Sequence, residues 1–478
     1  MVLLVTTIGA FMSPFDGSVV TIAIPSIASS INLSLESAVW VPLAYLLLLT
    51  LLLINVGRLA DLHGRKRFYS LGFALFTLGS ILCGLSTSDI QLISFRALQG
   101  AGAAFIAANS TAIVTDVFPT EGRGRALGIN TMAVYTGLTV GPVLGGVLVQ
   151  AFGWRSIFFV NVPIGILVIT LVTLKLRQNP PKTLGTRFDL PGAATLSVAL
   201  AASLIVLTFG GIYGWFSALT MVLGALSVGM FFLFLRIERV SPFPTLNLSL
   251  FSKNRLFAAA NATAFLSYIA VIGVTLTIAI YLETIKGLSP EITGLYLIAQ
   301  ALPMASFSPV SGWLSDRFGS RTLSTVGMGC VTIGLFLFSG LNAQSSGLDV
   351  ILRLVIVGIG FGFFSSPNTS AIMGSVSQGE LGVAAGTLGT MRFMGQSIGL
   401  AMLGAVMATT LSPQALLTVF TSLTSQGGVV TSEFVSGMRT FFLIATGMGV
   451  LGTLASTTRG HEGTYRNRKG GVEQPANH

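Results

Sequence analysis

Charged residues are scarce in this chain: Asp, Glu, Lys and Arg make up 9% of the 478 residues, whereas 52% are hydrophobic. A soluble domain carries roughly a quarter of its residues as charged side chains. The deficit excludes an ordinary water-soluble protein and indicates a chain that folds in lipid. Cysteine is also rare. Cys83 and Cys330 lie in apolar runs without ligand or disulfide spacing, so we expect both to be packing residues and no metal site.

The net charge of +10 does not indicate a nucleic-acid partner. The basic residues sit in short loops between apolar runs rather than on one face of a folded domain. Membrane proteins concentrate Lys and Arg in their cytoplasmic loops. When loops are counted alternately, most of the 26 Lys and Arg residues fall on one side, which predicts that this side is cytoplasmic. With an even number of spans, both termini are then cytoplasmic.

Apolar runs long enough to cross a bilayer follow one another along the whole chain. A helix needs about 20 apolar residues to cross about 30 Å of hydrocarbon. The runs predict fourteen transmembrane helices and no strands, an all-α polytopic membrane protein. The expected spans are 2–30, 38–59, 68–86, 90–113, 125–151, 156–175, 190–210, 215–236, 256–283, 291–314, 322–341, 349–372, 382–408 and 437–457.

The spans group into four parts. We expect a six-helix bundle over residues 1–180, two additional helices within 181–245, a second six-helix bundle over 246–458, and a polar cytoplasmic tail over 459–478. We therefore expect the protein to lie in a cell membrane, with lipid around both bundles.

A charged loop occurs twice. The segment GRLADLHGRKRFYSLG, which begins at Gly57, returns as GWLSDRFGSRTLSTVG in the second half. In each copy an apolar run ends near Asp61 or Asp316 and turns at Gly64 or Gly319. Glycine tolerates positive φ at such a turn, and Asp can accept N–H bonds from a helix start or pair with a nearby arginine. Many transporters are built from internal repeats, so the recurrence predicts two related halves.

A few polar residues lie inside the predicted spans, where charge is costly and usually functional. Asp16 is in the first span; because desolvation favours a neutral carboxyl group, it is predicted to bind and release a proton. A permanent pair with an arginine of another helix is the alternative. Arg96 in the fourth span is the candidate partner, with Gln99 on the same helical face. Arg392 and Gln396 form a polar stripe that faces either a water-filled cavity or polar groups of another helix.

The fifth span contains GLTVGPVLGG. Its glycines Gly137, Gly141 and Gly145 recur every fourth residue, followed by Gly146, and leave a flat groove for another helix. Pro142 removes one backbone N–H group and bends the helix. The segment is predicted to form a hinge or a tight seam.

Together these motifs resemble those of the major facilitator superfamily, and within it the fourteen-span drug/proton antiporter branch. GRLADLHGRK resembles the family's loop motif, LISFRALQGAGAA its fourth-span motif and GLTVGPVLGG its antiporter motif. FDGSVVTIAIP, WRSIFFVNVPIG and GLSPEITG are similar to segments typical of the branch. The resemblance runs through nearly the whole chain.

The resemblance implies an architecture and a set of partners. Two six-helix bundles would surround a central cavity and rock between inward-facing and outward-facing states, with the two additional helices outside this core. The expected partners are protons, a small-molecule substrate and the lipid bilayer. The expected form is a monomer, driven by a proton gradient without a cofactor.

The resemblance also implies roles for particular residues. Asp16 and Arg96 would couple proton movement, and Pro142 with its neighbouring glycines would form the antiporter hinge. The cytoplasmic gate would use residues of both loop copies: Gly57, Asp61, Gly64, Arg65, Asp316 and Gly319. The substrate cavity would be lined by polar residues of both bundles: Asp16, Gln99, Arg392 and Gln396.

The expected function is proton-coupled export of small organic, amphiphilic or drug-like compounds, not catalysis. No phosphate-binding loop is present, which argues against an ATP-driven pump. The sequence departs from the branch in two ways: Ser320 replaces Arg65 in the second loop copy, and Asp16 is the only carboxylate deep in a span. The sequence therefore does not decide among neutral, zwitterionic and anionic substrates. The alternatives are a transporter for one metabolite, lipid or siderophore, a facilitator-type importer, and a channel or non-transporting receptor.

Overall fold

The computed structural model describes residues 1–31, 33, 35–175, 188–412 and 428–459. Within these ranges the regular structure is helical. The long helices are α1 (Val2–Ile31), α2 (Leu35–His63), α3 (Arg65–Leu85), α4 (Asp89–Val117), α5 (Thr120–Phe152), α6 (Asn161–Lys175), α7 (Leu190–Tyr213), α8 (Ala218–Val240), α9 (Arg255–Ile280), α10 (Pro290–Phe318), α11 (Ser320–Phe338), α12 (Gly347–Gly374), α13 (Leu381–Thr410) and α14 (Gly428–Thr457). Short helical turns lie at Ser156–Phe159, Ser249–Ser252 and Gln378–Glu380, and a π turn at Tyr281–Ile285 extends α9.

The predicted fold class is confirmed, since each expected span corresponds to one of these helices. Most ends agree within a few residues, although α14 begins at Gly428 rather than at 437. In the described ranges, thirteen helices are long and apolar enough to cross a membrane. The remaining long helix, α10, has comparable length but carries Pro303, Pro309 and several serines. The expected tail lies outside the described residues beyond Arg459.

Helices α1 to α6 pack as one bundle and α9 to α14 as a second. The two additional helices, α7 and α8, pack against each other, and α7 also packs against α2 and α13. Asn55 of α2 donates from Nδ2 to Ser197 Oγ of α7 at 2.9 Å. Helix α8 exposes large apolar side chains, including Phe231 and Phe232, as a lipid-facing helix must. The pair therefore flanks the line where the two bundles meet.

The duplication reaches into the packing of each bundle. Lipid supplies little hydrophobic drive between helices, so close approach at small residues holds them together. Gly72 and Gly102 let α3 and α4 touch, and a Cβ at Gly102 would lie 2.4 Å from a backbone nitrogen of α3. Gly327 and Gly360 repeat this seam between α11 and α12, where a Cβ at Gly360 would lie 2.6 Å from a backbone nitrogen.

Helix α1 begins and α14 ends on the same side of the molecule. Tyr69, near the start of α3, donates its hydroxyl to the carbonyl of Val5 in α1. Arg321, at the start of α11, donates to the carbonyl of Thr457 at the end of α14. Both charged loops lie on this side, which we call the basic face.

The glycine seam gives a stability test. Replacing Gly102 with Ala places a methyl group against backbone, so we expect a loss of about 1–3 kcal/mol and a lower apparent melting temperature in detergent. Gly224 of α8 is the matched control, because a Cβ there would meet nothing within 4 Å. Gly224→Ala should leave the melting temperature unchanged or raise it through helix propensity. Equal shifts for the two variants would contradict this packing.

Candidate functional site

Asp16 lies near the middle of α1 and faces the interior of the first bundle, with 1% of its surface exposed. Its Oδ2 accepts a hydrogen bond from Arg96 Nη1 at 2.6 Å. Its Oδ1 accepts from Gln99 Nε2 and from Asn161 Nδ2, each at 2.8 Å. These four residues, which we call the buried polar network, place the carboxylate among three donors.

Arg96 is itself held by several helices. Its Nη1 also donates to Gln99 Oε1 at 2.7 Å, and its Nε donates to the carbonyl of Val41 in α2 at 3.4 Å. The guanidinium carbon lies 4.3 Å from the centroid of the Tyr45 ring, a cation–π distance. Gln99 donates to Ser80 Oγ of α3 at 2.7 Å. The network thus joins α1, α2, α3, α4 and α6.

The charges of Asp16 and Arg96 balance each other inside the bundle while the pair holds α1 against α4. An ionised carboxylate only accepts hydrogen bonds, which matches the three donors that surround Asp16. A proton on Asp16 would remove the charge that balances Arg96, and a buried charge without a partner costs several kcal/mol. Proton binding at Asp16 would therefore favour rearrangement of the helices that hold Arg96.

The glycine-rich segment of α5 forms a tight seam against α1. A Cβ at Gly137 would lie 2.6 Å, and one at Gly141 1.9 Å, from atoms of α1, and Gly145 also faces that helix. Gly146 meets nothing within 4 Å. Pro142 stands inside the helix between these contacts. The seam lies against the same stretch of α1 that carries Asp16, whereas the hinge role of the segment stays a prediction.

The first loop copy joins the two bundles at the basic face. Asp61, at the end of α2, has a side chain that is fully buried and accepts hydrogen bonds from the backbone N–H groups of Gly382 at 2.9 Å and Val383 at 3.2 Å. Both belong to the first turn of α13, where a negative charge is favoured by the helix dipole. Arg65 pairs with Asp61 at 2.7 Å and with Asp116 at 3.3 Å.

The second loop copy makes the corresponding contact in the opposite direction. Asp316, near the end of α10, accepts from the backbone N–H groups of Gly124 at 2.8 Å and Arg125 at 3.1 Å. Both lie near the start of α5 in the first bundle. Ser320 stands where the first copy has Arg65, so this copy lacks the corresponding arginine. Each loop aspartate therefore contacts a helix start of the other bundle.

Glycines of the two loops also contact the opposite bundle closely. A Cβ at Gly57 would lie 2.1 Å from the carbonyl oxygen of Gly382, and one at Gly312 would lie 2.2 Å from that of Gly124. The turn glycines have φ of 101° at residue 64 and 84° at residue 319, values that L side chains rarely adopt. The expected turns at both glycines are present, and together these contacts close the space between the bundles at the basic face.

Sequence reasoning identified the loop aspartates but not the N–H groups that they accept from. Gly382 and Gly124 lie far along the chain from Asp61 and Asp316, and only the packing of the bundles brings them together. A usable signal was present, because Gly382 is the first residue of a predicted span and Gly124 directly precedes one. Small residues at such places permit backbone-to-side-chain contact between helices.

A second polar cluster lies between the bundles near the middle of the helices. The guanidinium carbon of Arg392 lies 5.4 Å from the centroid of Tyr268, whose ring packs edge-on against Phe361 at 5.5 Å. Tyr135 of α5 also packs edge-on against Phe361, with 5.9 Å between the ring centroids, and donates a 3.0 Å hydrogen bond to Ser365 Oγ. We call these five residues the midplane cluster.

The predicted cavity residues divide between these two places. Arg392 belongs to the midplane cluster, and Gln396 lies partly buried one turn further along α13. Asp16 and Gln99 are buried in the first bundle and do not line accessible space in this conformation. Their assignment to the substrate cavity stays a prediction.

The aspartate contacts at the basic face give a test. We expect Asp61→Ala to separate the bundles at that face, because two backbone N–H groups of α13 lose their acceptor and Arg65 keeps only Asp116 and the carbonyl of Gln378. Spin labels at positions 67 and 322, both exposed, report the separation by pulsed electron paramagnetic resonance once Cys83 and Cys330 are replaced by serine. The mean distance should lengthen in the variant.

Asp349→Ala is the matched control for this measurement. It removes an (i, i+4) ion pair with Arg353 of the same type, at 2.8 Å, on the opposite face. The label distance should not change in the control. An unchanged distance in Asp61→Ala would show that this aspartate does not hold the bundles together.

Comparisons with known proteins agree with this geometry. Residues 6–400 and 263–471 match the Major Facilitator Superfamily. Multidrug resistance protein Stp of Mycobacterium tuberculosis (strain CDC 1551 / Oshkosh) is 37% identical over 414 residues, which cover 86% of this chain and 76% of that protein. Riboflavin transporter RibZ of Clostridioides difficile (strain 630) is 34% identical over 413 residues, 86% of this chain and 89% of that protein.

The fold is also that of a solved structure. The crystal structure of the human organic anion transporter MFSD10 (TETRAN) aligns with a TM-score of 0.67 at 15% identity, over 95% of this chain and 98% of that one. At this identity the likeness concerns the fold alone. The family match, the similar transporters and the two-bundle architecture lead to one conclusion: this chain belongs to the Major Facilitator Superfamily and is a multi-pass membrane transporter rather than an enzyme.

Proposed function

We propose that this transporter is a proton-coupled exporter of small organic, amphiphilic or drug-like compounds, of the fourteen-span drug/proton antiporter branch. It works by alternating access as a monomer in the cell membrane, and the proton gradient drives it without a cofactor. The observation that carries the proposal is the buried polar network. Asp16 sits near the middle of a membrane-spanning helix in an ion pair with Arg96 that a proton would break.

In this mechanism Asp16 exchanges its Arg96 partner for a proton. The deprotonated carboxylate holds α1 to α4 through Arg96 and Gln99, and to α6 through Asn161. Protonation weakens these bonds and frees Arg96 to move with α4. The contact of Gly137, Gly141 and Gly145 with α1 transmits the movement of α1 to α5. The start of α5 in turn contacts Asp316 of the second bundle.

The positive-inside rule places the basic face in the cytoplasm. The aspartate contacts at that face close the cytoplasmic side of the central space, and we assign them the role of the cytoplasmic gate. Asp61 and Asp316 release the opposite bundle when the transporter opens inward to load substrate. Both termini are cytoplasmic in this orientation.

Similarity to a relative named for multidrug resistance supports drug-like cargo. A second candidate function has its own support. The relative named as a riboflavin transporter matches 89% of its own length, which favours transport of one heteroaromatic metabolite as the alternative. Both candidates use the same fold and differ in the breadth of the substrates they accept.

We expect Asp16→Asn to abolish proton-driven transport. The amide occupies the same volume but cannot exchange a proton near neutral pH, so proton coupling is lost. The measurement uses proteoliposomes with an imposed pH gradient and three dyes: anionic fluorescein, neutral riboflavin and cationic tetramethylrhodamine methyl ester. Uphill movement of any dye by the wild type should fall at least tenfold in the variant.

Two variants control this experiment. Asp89→Asn removes a partly exposed carboxylate at the start of α4 and should transport like the wild type. Asp16→Asn combined with Arg96→Gln removes both charges, and so tests coupling even if the single variant leaves Arg96 unpaired and misfolds. Wild-type uphill transport in either Asp16 variant would refute the proposed role.

The same assay separates the alternatives. Downhill movement that does not respond to the pH gradient would indicate a facilitator. A current that does not saturate would indicate a channel, and no flux under any gradient would indicate a receptor.

A further inference from the structure

Arg392 is a charged side chain near the middle of α13 for which the described residues supply no opposite charge. Asp16 and Arg96 balance each other, and Arg353 pairs with Asp349 near the opposite face. Within the described ranges Arg392 forms no ion pair, and its Nε is buried without a hydrogen-bond acceptor. Its neighbours are aromatic: its guanidinium carbon lies 5.4 Å from the Tyr268 centroid and 5.7 Å from that of Phe393.

A lone guanidinium at this depth requires compensation. Removing it from water is costly, and charged side chains within spans almost always pair or face a water-filled space. Cation–π contact with Tyr268 compensates only part of that cost, because the ring carries no net negative charge. The remaining compensation can come from a molecule that enters the space between the bundles. The positive charge favours a negative group and repels a cation.

The surroundings of Arg392 define what else that molecule should carry. Tyr268, Phe361 and Tyr135 form a continuous aromatic wall, with centroids 5.5 Å apart for Tyr268 and Phe361 and 5.9 Å apart for Tyr135 and Phe361. Tyr268 is partly buried, whereas Phe361 and Tyr135 are buried in this conformation and would reach a ligand only after the bundles separate. Aromatic rings favour offset or edge-on contact with other flat rings. Gln396, one turn along α13 from Arg392, can both donate and accept a hydrogen bond. The wall includes a residue of each bundle, so a ligand held there would contact both.

We propose that the midplane cluster is a binding site for flat aromatic anions, in which Arg392 pairs with a carboxylate, sulfonate or phosphate group and Tyr268, Phe361 and Tyr135 contact the ring system. Guanidinium forms bidentate hydrogen bonds with such groups, which a lysine ammonium does not match. The assignment rests on the proposed transport function and narrows its substrate class. Arg392 is then the residue that determines charge specificity.

The test compares two dyes built on the same xanthene ring system, anionic fluorescein and cationic tetramethylrhodamine methyl ester. Binding to the purified protein in detergent is measured by fluorescence anisotropy without any gradient. We expect the wild type to bind fluorescein at least tenfold more tightly than the cation. Arg392→Gln should weaken fluorescein binding at least tenfold and leave binding of the cationic dye unchanged or tighter.

Arg392→Lys keeps the charge but loses the planar fork, and should retain an intermediate affinity for fluorescein. Arg439→Gln, which removes an exposed arginine of α14, is the matched control and should bind like the wild type. Elution of each variant as a folded monomer on gel filtration excludes misfolding. Equal affinity of the wild type for the two dyes, or unchanged fluorescein binding in Arg392→Gln, would overturn the proposal.

This experiment and the proton-coupling experiment can fail independently. Binding is measured at equilibrium with no gradient, so loss of anion selectivity in Arg392→Gln stands even if Asp16→Asn transports normally. Conversely, loss of coupling in Asp16→Asn stands even if the wild type shows no preference between the dyes.

Discussion

The structure depends on one constraint: a charge held in the membrane interior must be compensated. Asp16 and Arg96 compensate each other's charge across a 2.6 Å hydrogen bond. Gln99 and Asn161 are the other two donors to the carboxylate. Removing one partner of such a pair costs about 3–5 kcal/mol. In the proposed mechanism a proton on Asp16 has a similar electrostatic effect, and the helices that hold Arg96 respond to it.

The duplicated loops meet a related constraint at the basic face. Helix starts expose N–H groups without intrahelical partners, and a carboxylate compensates them. Asp61 does so for α13 and Asp316 contacts the start of α5, so each half of the chain holds the other. Close glycine contacts between the bundles accompany these carboxylates, with Gly57 against Gly382 and Gly312 against Gly124. The bundles therefore meet tightly at the basic face in this conformation.

The sequence predicted the helices, the two loop turns and the candidate pairing of Asp16 with Arg96, because these follow from apolar run length, glycine position and the cost of intramembrane charge. It did not predict Asn161 as a third donor or Tyr268 beside Arg392, since these neighbours arise where distant helices pack. The two halves also differ in their charged pairs. Arg96 lies in the fourth helix of the first bundle and pairs with Asp16 of α1, whereas Arg353 in the fourth helix of the second bundle pairs with Asp349 of its own helix.

Infrared difference spectroscopy tests the role of Asp16 most directly, because it observes the carboxyl group without requiring a known substrate. The purified protein in lipid is compared at mildly acidic and alkaline pH, for the wild type and Asp16→Asn. We expect a carboxylic-acid C=O band that appears on acidification in the wild type and is missing from the variant. Identical difference spectra for the two proteins would contradict the claim that Asp16 exchanges a proton.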